Sequence, residues 1–227
     1  MNILNTKAAI LSTIMDKASL KQVVYKNTKE IFEELRDVVK NLIEEYNSEL
    51  GEVDENILLS FEDKGEFEYQ IKIASDILVF SLHTNVFQFN RDHNVWKQAY
   101  VKTDPDNAYS GIINVYNFLA DSFKYTRYED LGYLVARIFI NREKHYIVEG
   151  KRQLGLLQTD LSVSNADHDN LRSIVETAIN YSLNFDLLVP PYDNVKIMSV
   201  GQMFEKIQNA RIPTGKRLGF QFKSDDV

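Results

Sequence analysis

The 227-residue chain carries 33 acidic and 26 basic side chains, a formal net charge of −7. That charge repels nucleic acid on average and argues against a dedicated nucleic-acid-binding protein. There is no cysteine, which excludes disulfides, thiol nucleophiles, iron–sulfur clusters and thiolate zinc sites, while a hydrophobic content of 44% supplies a core of ordinary size.

At the start of the chain, Lys7 and Asp16 bracket eight uncharged residues. That run is too short for a signal peptide, and no later run approaches the ~18 apolar residues of a membrane span, so a cytoplasmic protein without membrane contact is expected. Leu20, Val24, Ile31, Leu35, Val38 and Leu42 then recur at steps of three, four or seven. This is one face of a helix from about Asp16 to Leu50, widened by Phe32, Val39, Ile43 and Tyr46. Asp16 reads as its N-cap and Gly51 as its stop. Asn27 and Thr28 weaken the stripe and mark a place for a bend. At about 1.5 Å per residue the helix would span roughly 50 Å, so part of it projects or packs on a second copy. A homodimer is therefore expected.

After Gly51 the period changes to two. Phe67, Tyr69, Ile71 and Ile73 alternate with Glu68, Gln70 and Lys72, as in an antiparallel strand with one dry and one wet face. Ile57–Phe61 reads as its partner across the turn Asp63-Lys64-Gly65-Glu66. Ile77–Leu82, Val86–Phe89 and Val95–Val101 read as further strands, and Asp104-Pro105-Asp106-Asn107 as a loop. Ile112–Leu119 fits either helix or strand, and its β-branched and aromatic content favours strand. Tyr133–Ile140 and His145–Glu149 form a hairpin around Asn141-Arg142-Glu143-Lys144. A helix follows from about Asp167 to Leu183, with Leu171, Ile174, Val175, Ala178 and Ser182 on its buried face and Asn165 or Asp167 as cap. Val195–Met198 reads as a last strand, and Ser199 with Gln202 as a capping box opening a helix to about Ala210. The class is α+β: a long N-terminal helix, a multi-stranded antiparallel sheet and two C-terminal helices in a single domain, 1–227.

Few residues stand out for chemistry. Asp130 is followed nineteen residues later by Glu149-Gly150-Lys151 at the end of a hairpin strand. An acid followed by acid-x-Lys on a hairpin resembles the signature of metal-dependent PD-(D/E)xK nucleases. The resemblance implies Mg²⁺ held by Asp130 and Glu149, with Lys151 helping to activate a water. Glu129 stands where that signature has proline, and the hairpin register sets Glu149 opposite Arg137. His83, His93, His145 and His168 lack metal-ligand spacing, although Asp76, His83, Asp92 and His93 belong to neighbouring strands. No nucleophile elbow is present. In Pro213-Thr214-Gly215-Lys216-Arg217 an arginine replaces the Ser or Thr of a phosphate-binding loop. The basic tail, with Arg211, Lys216 and Arg217, suits an anionic partner. No cofactor is evident.

Twelve Tyr, thirteen Phe and one Trp, many on expected strands, can fill a core or line a small-molecule pocket. Three functions follow. One is a non-catalytic binding or regulatory module whose helix dimerises and whose sheet holds a protein or small-molecule ligand. The second is a nuclease-like enzyme using Asp130, Glu149 and Lys151. The third is an enzyme with a site assembled from dispersed residues.

Overall fold

The computed structural model describes residues 3–128, 130–163, 165–185, 189 and 191–209. The basic tail with Arg211, Lys216 and Arg217 lies outside these residues.

The N-terminal helix begins earlier than the periodicity suggests. Helix α1, Ile3–Thr13, runs through a π-turn, Ile14–Ala18, into α2, Ser19–Leu50. Asp16 is thus an interior residue rather than a cap, and its carboxylate accepts from the Ser12 hydroxyl at 3.0 Å. Helical residues continue unbroken through Asn27 and Thr28. Both residues dock the helix. The Asn27 amide donates to the Arg142 carbonyl at 2.7 Å, and Thr28 is buried, its hydroxyl returned to the Val24 carbonyl at 2.7 Å. The helix ends at Gly51, whose φ of 64° suits glycine.

Seven antiparallel strands follow: β1 (Ser60–Asp63), β2 (Glu68–Ile73), β3 (Asp76–Leu82), β4 (Phe87–Gln88), β5 (Tyr109–Leu119), β6 (Tyr133–Ile140) and β7 (Tyr146–Gly150). Their order is β1-β2-β3-β5-β6-β7, with β4 paired to the start of β5. The first hairpin forms as expected, but β1 pairs through Ser60 to Asp63, so Ile57 and Leu58 precede the strand. The segment expected as a strand from Val95 to Val101 is instead a 3₁₀ turn, Asn94–Lys97, followed by the short helix α3, Ala99–Thr103. Another 3₁₀ turn, Pro105–Ala108, leads into β5. A short helix α4, Ala120–Lys124, connects β5 to β6. Helix α5, His168–Leu183, is capped by Asp167, which accepts from the Asn170 N–H at 2.9 Å. Leu171, Ile174, Val175, Ala178 and Ser182 are all buried on it. The last expected strand is absent: Tyr192–Val195 is a short helix, α6. Ser199 and Gln202 form the reciprocal capping box of α7, Val200–Asn209.

Helices α2 and α5 cover one face of the sheet. Tyr69, Ile71, Ile73, Leu78, Phe80, Ile113, Val115, Ile138 and Val148 meet Phe32, Leu35, Val38, Val39, Leu42, Ile174 and Val175 there. A fork from Arg172 to Glu45, two bonds of 2.8 Å, ties the two helices together. The opposite face is covered in part by the segment after β4 and the chain after β7. Val95, Val101, Ala108 and Leu161 pack there on Ile112, Phe139 and Ile147. This second layer explains why β5 is buried on both faces over much of its length. Gln70, expected to face water, is also buried, between Glu62 of β1 and Val79 of β3.

Candidate functional site

The second face of the sheet carries the candidate site. On β5, Ser110, Ile112 and Asn114 point away from the helices, because Gly111, Ile113 and Val115 point towards them. The register then builds two rows across the strands. Asn114 lies opposite Ser81 on β3 and Arg137 on β6, and Arg137 opposite Glu149 on β7. Two residues along, Ile112 lies opposite Phe139, and Phe139 opposite Ile147. A polar row therefore runs beside an apolar row, separated by two strand residues, about 6.6 Å.

Above these rows lies a cavity of about 490 Å³. Its floor is Ser110, Ile112, Asn114, Arg137, Phe139 and Glu149; its roof comes from His83, from β4 and from Phe89 to His93. The walls are aromatic. Phe89 stacks on the His93 ring at 4.5 Å and lies 4.8 Å from Phe139. His83 meets Phe87 edge-on at 4.7 Å.

The polar groups are fixed by their neighbours. Glu149 accepts from His93 Nε2 at 2.9 Å and from Arg137 Nη2 at 2.5 Å, so both carboxylate oxygens are occupied. The Val95 N–H donates to His93 Nδ1 at 3.3 Å. A backbone N–H can only donate, so Nδ1 is the acceptor nitrogen and the ring proton sits on Nε2, facing Glu149. His83 has the same arrangement. Its Nδ1 accepts from the Asn85 N–H at 3.0 Å, which leaves an Nε2–H. Ser110 is 1% exposed, and its hydroxyl has no partner among the described residues. A buried hydroxyl without a partner costs about 1–3 kcal/mol, which a water or a ligand atom reaching it would offset.

A smaller cavity of about 310 Å³ lies on the other side of the His93–Glu149 pair, lined by Ile147, Gly150, Gly155 and Thr159. A larger hollow of about 620 Å³ lies at the β2–β3 turn, beside Lys72, Ala74, Asp121 and Lys124. None of its polar side chains is buried, so it lacks the convergent fixed groups of the first cavity.

The structure seats the sequence-derived candidates on different partners. Glu149 belongs to the cavity, opposite Arg137 as the register requires. The Asp130 carboxylate accepts from the Ser122 hydroxyl at 2.7 Å and pairs with Arg127 at 3.1 Å, ahead of the first residue of β6. Lys151 is exposed, and its N–H donates to the Val135 carbonyl at 3.0 Å. Among the described residues no three His, Asp or Glu side chains gather closely enough to hold a metal ion. His83 and His93 do share one cavity, whereas Asp76 sits at the start of β3 beside Ser75. Arg137 was read from sequence as the register partner of Glu149, and it is; Ser110 and Asn114 were not singled out, and the signal available for them was the period-two placement of polar residues inside otherwise apolar strands.

Comparison with known protein families, with curated proteins and with solved structures gives no match.

Proposed function

We propose that the protein is a binding module that takes a small molecule into the cavity between the sheet and the segment from His83 to His93. The observation that carries this reading is the buried, unpartnered Ser110 hydroxyl on the floor of an aromatic-walled cavity of about 490 Å³. That volume lies within the range of small-molecule sites, which combine apolar walls with a few fixed polar groups. The His93–Glu149–Arg137 chain supports the same reading. Each member's partner fixes its orientation, so the floor is ordered before a ligand arrives. A screen of small fragments by backbone amide shifts tests the reading. Shifts centred on His83, Phe89, Ile112, Asn114 and Phe139 support it; shifts confined to other surfaces contradict it.

The reading includes self-association through the N-terminal helix. Ile10, Leu11, Ile14 and Met15 are each about half exposed or more, and the first buried residue on the helix is Val24. The exposed stretch from residue 6 to residue 19 is about 20 Å long. Each large apolar side chain left in water forgoes about 1.5–3 kcal/mol, and a twofold pairing of these stretches recovers it. Among the described residues no helix is long and apolar enough to cross a membrane.

A further inference from the structure

The geometry points to a monocarboxylate carried on an aromatic or compact apolar body as the ligand of this cavity, an assignment that rests on the binding reading above. The wall groups whose hydrogen-bond polarity the fold fixes are donors. His83 and His93 both accept at Nδ1 from a backbone N–H, so each carries its proton on Nε2. The His93 proton is spent on Glu149, while the His83 proton has no protein acceptor among the described residues. Arg137 uses one nitrogen on Glu149 and keeps its remaining N–H groups for the cavity that it lines. Glu149, the one carboxylate that lines the cavity among the described residues, already accepts once on each oxygen, from His93 and from Arg137, which leaves one further lone pair on each. Ser110 adds a buried hydroxyl and Asn114 an amide beside Arg137.

A ligand that satisfies this wall presents acceptor atoms. A carboxylate presents two in one plane, the form that an arginine fork matches, and a charge-assisted bond is about twice as strong as a neutral one. The position of the rest of the ligand follows from the two rows. Phe139 is two residues from Arg137 on the same strand face, and Phe89 rises beside it at 4.8 Å. An apolar group attached close to the carboxylate therefore rests on these rings while the carboxylate meets Arg137. Glu149 already offsets the charge of Arg137, so a bound monocarboxylate is held by the hydrogen bonds of Arg137 and His83 rather than by a net positive wall, and the second charge of a dicarboxylate would stand without a donor among aromatic side chains.

The chain supplies its own reporter. Trp96 is the single tryptophan, and its indole N–H donates to the Phe89 carbonyl at 3.1 Å, next to the cavity wall. Tryptophan fluorescence of the full chain is titrated with benzoate, phenylacetate, hexanoate, benzamide and phenylacetamide. The expected result is saturable binding of the acids, with each amide weaker than its matched acid by at least about tenfold. The ring acids should exceed hexanoate. Arg137→Gln should reduce acid affinity by about tenfold or more and amide affinity by less. Arg137→Lys, which keeps the charge without the fork, should fall between. Circular dichroism of each variant separates lost binding from lost folding. Amides that bind as tightly as acids, or acids that bind Arg137→Gln as they bind the parent, overturn the carboxylate assignment and leave the pocket standing. The absence of saturable binding by all five compounds overturns it as well, and the fragment-shift map then decides the pocket separately.

Discussion

Thr28 lies against Gly111 so closely that a Cβ built on the glycine would fall inside the threonine side chain, 2.8 Å from its Cβ and nearer still to its hydroxyl. Helix α2 thus meets β5 with almost nothing between them, and the central strand is held at the depth that places Ser110 and Ile112 in the cavity floor. Gly111→Ala should destabilise the protein by about 1–3 kcal/mol through overpacking, and Gly111→Val by more. Urea unfolding measures it. A Gly111→Ala variant within about 0.5 kcal/mol of the parent would show that the contact has room to relax.

Arg172 joins α5 to α2 through Glu45, and its hydrogen bond holds the Glu45 carboxyl below its ordinary 4.5. The same holds for Glu30, held low by its bond from Lys144. A carboxyl with a lowered folded pKa contributes stability above its unfolded value, and loses that contribution as pH falls through the folded pKa. Arg172→Gln should therefore lower the urea midpoint at pH 7 and make little difference at pH 3. The pairs are exposed, so the effect is small. An equal loss at both pH values would assign the role of Arg172 to packing instead.

The histidine tautomers are directly observable. Nitrogen NMR of labelled protein at neutral pH should report His83 and His93 with the proton on Nε2 and an acceptor Nδ1. A proton on Nδ1 of either ring would remove the donor pattern on which the ligand class depends.

Self-association is tested by sedimentation. The chain mass is 26.3 kDa, and the parent protein should sediment at close to twice that value. Ile10→Glu with Ile14→Glu should return it to one chain that stays folded, since neither residue is buried within the chain. A parent monomer at micromolar concentration would show that the exposed stretch has no partner of its own kind.

Much of the architecture was readable from local pattern. The stripe from Leu20 to Leu42, the β6–β7 hairpin and the Asp167 cap each carry their own short-range signal, and each is present; of the alternating residues Tyr69, Ile71 and Ile73 are buried, while Phe67, read with them, is 39% exposed. Where a second layer intervenes, the pattern misled. Val95 and Val101 look like a strand because both are buried, yet their burial comes from packing down onto Phe139 and Ile147. Asn27 and Thr28 looked like a weak point, although their polarity serves the turn carbonyls and a glycine opposite. The early start of the helix was missed because Ile10, Leu11, Ile14 and Met15 are exposed and form no one-sided buried stripe. The site was less legible. Glu149 drew notice through a neighbouring lysine and the hairpin register gave Arg137 as its partner, whereas His93 lies 56 residues away and meets it only through the fold. Ser110 carries only a weak signal, a polar residue inside an otherwise apolar strand, and its meaning comes from being buried without a partner.

The most direct measurement is a crystal structure of the full chain grown with phenylacetate. The account predicts the ligand in the cavity between β5, β6 and the segment from His83 to His93. Its carboxylate should lie within hydrogen-bond distance of Arg137 and Ser110 or His83, with its ring on Phe89 or Phe139. A structure with that cavity holding only water, or with the ligand bound on another surface, would contradict it.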